Sequence, residues 1–299
     1  MVTEVFQDAQ ASSDSGMNST DRPVTVLPKA EALSGLFAVW EDLEKLLADL
    51  SDGRWKTATA LPGWSVQDVV SHIIGTESFL QGLPAPDIDI DVSTLGHVRN
   101  EIGAMNESWV QSMRAHSPDQ MREELKAILS ARRTALEDMS EQVWNEVTFT
   151  PAGPDSYGRF MRIRIFDCWM HEHDIREAVD APASDRELAT TTARLSLDEM
   201  AGSMGFVVGK RAGAPDGSRV AIELTGPLQR TIKVQVDGRA KVVEDFGGAD
   251  PTTTITIDGL LFTRLAGGRT PMAEHDADIE FGGDDTVGRR VVENLNYVI

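Results

Sequence analysis

The stretch FDCWMHEHDIREAVD, residues 166–180, gathers an aspartate, two histidines and the chain's one cysteine between Asp167 and His173. Residues four apart in an α-helix lie on one face, so Asp167 and His171 would offer a carboxylate and an imidazole to the same point. That pair is half of a metal site. His173 points to another side, and Cys168 is turned roughly a quarter of a revolution away, which argues against thiolate ligation. A third donor has to come from a different helix, and His72 is a candidate: an unsatisfied imidazole among the Val and Ile of VVSHII would be costly. Two histidines and one carboxylate leave a coordination position open. For zinc this is the catalytic rather than the structural pattern, and it also suits Fe(II), Ni(II) or Co(II). Spacing alone leaves a second reading open, in which the three are hydrogen-bonded structural residues, because periodicity does not reveal whether two helices converge.

The elements that would position these residues are legible from period and punctuation. From Lys29, apolar residues at three- and four-residue steps (Leu33, Leu36, Phe37, Trp40, Leu43, Leu46, Leu47, Leu50) predict a first helix. Ser65 with Asp68 three positions on reads as the cap of a second, which carries His72. PAPDIDIDVS reads as a loop leading into a helical TLGHVRNEIGAMNESWVQSMRAH, and Ser117-Pro118 opens a further helix. A long helix is expected from about Arg159 to Val179 and another from about Ser184 to Val208. Beyond GKRAGAPDGS the pattern becomes short β-rich runs ended by Gly or Asp-Gly, as expected of antiparallel strands, followed by helix, strand and helix. The fold class is therefore α+β, with a disordered tail at 1–28, a helical bundle at 29–212 and a small α+β domain at 213–299.

With 48 acidic against 28 basic residues the formal charge is −20, which repels phosphate backbones and anionic lipid surfaces, so neither nucleic acid nor membrane is an expected partner. A single cysteine cannot form an intramolecular disulfide, and the opening residues lack signal-peptide character. A cytoplasmic protein, monomer or homodimer, is the expectation.

Two motifs carry a resemblance to a known family. LPGWSVQDVVSHI on the second helix and RIFDCWMHEHDIREAV on the long one resemble those of the mycothiol-dependent maleylpyruvate isomerases, whose metal-binding domain is a DinB-like four-helix bundle. The resemblance implies a divalent metal, usually zinc, held by His72, Asp167 and His171. It also implies a low-molecular-weight thiol, mycothiol, as cosubstrate beside a small electrophilic substrate. This chain departs from the pattern at Asp167, where better-known members carry Glu. Asp174 matches the family's acid three residues after the second histidine and is expected to orient a ligand or substrate from behind. The C-terminal part is similar to the sterol-carrier-like α+β domain that accompanies the bundle, and Arg269 in GGRTP matches an arginine that holds a substrate carboxylate.

The resulting expectation is a metal-dependent enzyme that uses the thiol to isomerise or conjugate its substrate. An apolar-ligand-binding protein with a structural metal and a water-using metallohydrolase are the alternatives. Cys168, without cationic neighbours in sequence, is expected to be buried and unreactive. His97, His116 and His275 carry no argument for a site, and Trp64, Trp144 and Trp169 read as packing residues.

Overall fold

The computed structural model describes residues 23–297. The chain divides into two compact units between Pro182 and Ala183.

In the first unit, α1 (Lys29–Ala48) buries Leu36, Val39, Trp40, Leu43 and Leu47 along its expected stripe. It is followed by α2 (Val66–Leu80), α3 (Glu101–Met113), α4 (Pro118–Asp138), the short α5 (Glu141–Asn145), a hairpin of β1 (Val147–Thr148) and β2 (Asp155–Ser156), and α6 (Tyr157–Ala178). Helices α1, α2, α4 and α6 form a four-helix bundle in which α1 and α2 each pack against both α4 and α6, while α3 lies on α2. Each leucine or isoleucine buried there contributes about 1.5–3 kcal/mol, so the apolar stripes decide which faces turn inward.

Caps fix where the site-bearing helices begin. Ser65 Oγ accepts from Asp68 N, and Asp68 Oδ2 accepts from Ser65 N at 2.8 Å, a reciprocal box that starts α2 seven residues before His72. Ser156 Oγ accepts from Arg159 N at 3.0 Å and starts α6, which then runs 22 residues. Ser117 with Gln120 closes the same kind of box on α4, with Pro118 in its first turn.

Several sequence expectations need correction. The helix read from TLGHVRN starts only at Glu101, because Asn100 Oδ1 accepts from Gly103 N and caps it there. The tail assigned to 1–28 lies outside the described residues up to 22, but residues 23–28 are pinned. Thr25 N and Oγ1 donate to the two carboxylate oxygens of Asp155 at 2.7 and 2.9 Å, and Trp144 Nε1 donates to Leu27 O at 2.8 Å.

The second unit contains α7 (Asp185–Leu188), α8 (Thr191–Phe206), strands β3 (Arg219–Thr225), β4 (Arg230–Asp237), β5 (Arg239–Val243) and β6 (Thr253–Asp258), α9 (Gly259–Ala266), β7 (Ile279–Gly283) and α10 (Asp285–Glu293). The helix expected over 184–208 is broken, since Thr190 Oγ1 accepts from Ala193 N and opens α8 afresh. Because α8 packs on β4 and β5, it belongs with the sheet, and the boundary falls about thirty residues before the expected one at 212. The sheet order is β5-β4-β3-β6-β7. All neighbours pair antiparallel except β3 and β6, which are parallel, with Ile222 opposite Ile255. That pairing corrects the all-antiparallel expectation. Among the described residues no helix is long and apolar enough to cross a membrane.

Candidate metal centre

Helix α6 carries Arg164, Asp167, His171 and Asp174 at steps of three, four and three, so these four polar residues form one stripe where a bundle helix normally places apolar ones. Opposite them, α2 supplies His72. The structure brings together one ligand atom each from His72, Asp167 and His171, all within 4.8 Å of one another. His72 Nε2 lies 3.2 Å from Asp167 Oδ2, and His171 Nε2 lies 3.5 Å from Asp167 Oδ1. With zinc–ligand bonds of about 2.0–2.1 Å, the edges of a tetrahedral site are roughly 3.3–3.4 Å, so the spacing suits a cation of that size. Both histidines are buried and Asp167 is partly so. The nitrogen of His72 that faces Asp167 is Nε2; its Nδ1 is buried with no hydrogen-bond partner among the described residues, at a cost of about 1–3 kcal/mol. The donor set thus fits a divalent first-row ion.

The two imidazoles are tuned in opposite directions. Burial lowers the pKa of His72, more than the neighbouring Asp167 carboxylate raises it, and keeps the ring neutral. For His171 burial also opposes the charge, but carboxylates on both sides, Asp167 and Asp174, raise its pKa overall. Asp174 is fully buried with Oδ2 3.0 Å from His171 Nδ1, the arrangement that keeps a proton on Nδ1 and leaves Nε2 facing Asp167. Burial would raise the pKa of Asp167, yet Arg164 first and then the two histidines hold it well below the usual carboxylate range.

Two contributors were missed in the sequence. Arg164 Nη1 donates to Asp167 Oδ2 at 2.5 Å, and its place three residues before Asp167 on the same stripe was the available signal. Trp64, expected as a packing residue, packs against the site itself: its ring lies 5.4 Å from that of His72 and 6.4 Å from that of His171. The indole is held by Nε1 donating to the buried Glu107 at 3.0 Å. Trp64 stands immediately before the α2 cap, one residue before Ser65, so the helix start that sets His72 also sets the indole. An open cleft of about 500 Å³ runs along Lys56, Thr59, Gly63, Trp64, Asp68 and Arg114, reaching the turn of α2 just before His72.

Cys168 is fully buried and its thiol is pushed up to about 12, by burial first, so it is no nucleophile at neutral pH, and its sulfur is not among the donor atoms that meet at the site. His173 packs edge-on against Trp169, 4.4 Å between ring centres, away from the donor set. Arg269 belongs to the second unit, on the turn after α9, where its Nη1 donates to Gly267 O at 2.5 Å.

Comparison with known proteins agrees with the two-unit reading. Residues 36–176 match the family model described as the mycothiol maleylpyruvate isomerase N-terminal domain, and residues 194–290 match the MDMPI C-terminal domain. A crystal structure of the mycothiol-dependent maleylpyruvate isomerase superposes with a TM-score of 0.57 at 15% identity, covering 86% of this chain and 93% of that one. A histidine-to-alanine variant of it superposes at 0.56 with the same identity and coverage. At that identity the likeness is one of fold. No curated protein matches the chain.

Proposed function

The chain belongs to the mycothiol-dependent maleylpyruvate isomerase family, and on that premise we propose that it is a thiol-using isomerase whose bundle holds one divalent ion, zinc being the expected occupant, through His72, Asp167 and His171. One observation carries the reading: donors from two separate helices meet within 4.8 Å, with a buried carboxylate, Asp174, behind one of them. A cation held there would supply a Lewis acid that favours the thiolate form of a low-molecular-weight thiol such as mycothiol at neutral pH.

The chain's own residues do the rest. Burial keeps His72 neutral, with a lone pair to donate. Asp174 holds the His171 proton on Nδ1, and Arg164 holds one oxygen of Asp167. The Trp64 indole screens both imidazoles from water on its side. Since Cys168 offers no thiolate, the sulfur nucleophile comes from the cosubstrate. That sulfur adds to an activated double bond, the resulting single bond rotates, and elimination of the same thiol restores the double bond in its other geometry, with no net gain or loss of atoms. Arg269 is proposed to bind a substrate carboxylate through its guanidinium fork; Arg269→Lys is expected to raise KM more than it lowers kcat.

Elemental analysis and turnover of maleylpyruvate test this. Purified protein is expected to carry a stoichiometric divalent ion that His72→Ala and His171→Ala both lose, together with isomerisation. Retention of the ion by both variants would overturn the site, and turnover that needs no added thiol would overturn the cosubstrate.

A further inference from the structure

Asp167 reaches the donor cluster on a short side chain, and a carboxylate's terminal torsion is a soft one. Something has to hold its plane. Arg164 is 3% exposed, and its guanidinium makes three contacts. Nη1 donates to Asp167 Oδ2 at 2.5 Å, Nε to Glu77 Oε1 at 2.9 Å, and Nη2 to Cys168 Sγ at 3.4 Å. Glu77 on α2 is fully buried, and its other oxygen accepts from Arg132 Nε on α4 at 2.9 Å. Arg132 in turn donates to Tyr157 OH at 3.1 Å. Arg164 is therefore anchored from behind, whatever Asp167 does.

Resting on the metal-site reading above, we infer that Arg164 is a positioning residue: braced by Glu77, it pins Asp167 Oδ2, the oxygen 3.2 Å from His72 Nε2, and so fixes the carboxylate plane in which Oδ1 faces His171 Nε2 at 3.5 Å. An exposed pair at this spacing would be worth little, but this one is dry on the arginine side, and the planar guanidinium, held by Glu77 at Nε, meets Asp167 with Nη1 in a fixed direction. Arg164 touches neither substrate nor thiol in this role; its effect passes through the carboxylate.

The test compares Arg164→Lys with Arg132→Lys. Lysine keeps the charge beside Glu77 but cannot span two carboxylates. Arg132→Lys disturbs the same buried glutamate without touching a ligand. Apo proteins are reloaded with Zn(II) in competition with a chromophoric chelator, and with Co(II) for its visible spectrum. Arg164→Lys is expected to bind about 10–100-fold more weakly, in line with outer-sphere partners of ligands, and to shift the Co(II) bands, while Arg132→Lys keeps wild-type affinity and bands. Wild-type behaviour of Arg164→Lys, or equal weakening in both variants, would overturn the inference. Failure of wild type to bind either ion would instead overturn the site itself. Should Arg164→Lys not fold, guanidinium NMR of the Zn(II)-loaded wild type decides: exchange-protected Arg164 Nη protons are expected, and a freely rotating group would refute the brace.

Discussion

Replacing Asp167 by the glutamate that the family resemblance leads one to expect is predicted to weaken metal binding, not to strengthen it. One methylene carries the carboxylate about 1.5 Å further from the helix, whereas a metal ligand is tolerated within roughly 0.2 Å of its proper distance. Asp167 Oδ2 already sits 3.2 Å from His72 Nε2 and Oδ1 3.5 Å from His171 Nε2, each near the roughly 3.3–3.4 Å edge of a tetrahedral zinc site. Its outer oxygen is already in contact with Arg164, which Glu77 and Cys168 prevent from retreating. The longer side chain has to buckle off its preferred torsions, at about 0.5–1.5 kcal/mol, or push the buried arginine, at about 1–3 kcal/mol. As alternatives these span about 0.5–3 kcal/mol, or roughly a 2- to 160-fold rise in Kd. Chelator competition with Zn(II) measures it directly, and apo-protein thermal unfolding separates lost affinity from lost stability. An Asp167→Glu protein that binds Zn(II) as tightly as wild type, or more tightly, would show that the carboxylate is not held where the argument puts it.

Other expectations can be checked with the same protein. His171 has a raised pKa, so below that pKa a cation must displace a proton; affinity should fall as pH drops through the neutral range, with about one proton released per ion by calorimetry in buffers of different ionisation enthalpy, and a pH-independent Kd would refute it. Cys168, pushed up to about 12, should resist thiol reagents at pH 8 in the native state and react only on unfolding; prompt native labelling would contradict its burial. In Gly75→Ala the new methyl would meet Trp109 Cγ at 2.4 Å and Cβ at 2.5 Å; the helix-propensity gain of about 1 kcal/mol is outweighed by overpacking of about 1–3 kcal/mol, so thermal unfolding should occur at lower temperature. Asp155 is held below its usual pKa, burial being opposed by Arg159, Thr25 and Ser156; its contribution is present above about pH 4 and lost as pH falls, and Asp155→Ala should expose residues 23–28 to protease at neutral pH.

What could be read in advance followed the range of the interaction that sets it. The caps at Ser65 and Ser117 involve residues three apart, and both formed as the local pattern dictates. The Asp167–His171 pairing is likewise a property of one helix. Convergence with His72 was suggested only by the cost of an imidazole among Val and Ile, and the family motifs made it specific. Arg164 escaped because a charge three residues from another ordinarily signals a solvated face; only the tertiary burial of Glu77 against it reveals a different task. The parallel β3–β6 pair was invisible for a related reason, since strand direction between non-consecutive strands is set by the path of the chain and not by side-chain alternation. Thr190, a cap in the middle of an apolar-periodic stretch, divided one expected helix into two.

The buried arginines also bear on why the bundle tolerates so much charge. Arg132, Glu77, Arg164 and Asp167 alternate in sign across α4, α2 and α6, each held to the next within 2.9 Å. Such a chain is poor value as a stabiliser, because well-packed apolar residues of like volume usually do as well or better. What apolar packing cannot supply is a fixed direction for a carboxylate at the end of the chain. Three of the bundle's helices are locked in register by these contacts, and the last contact lands on the residue that faces His72 and His171. Removing Asp167 would leave Arg164 with Glu77 as its only remaining carboxylate, already shared with Arg132. The site and the polar part of the core are therefore one structure, and mutations in either are expected to be felt in both.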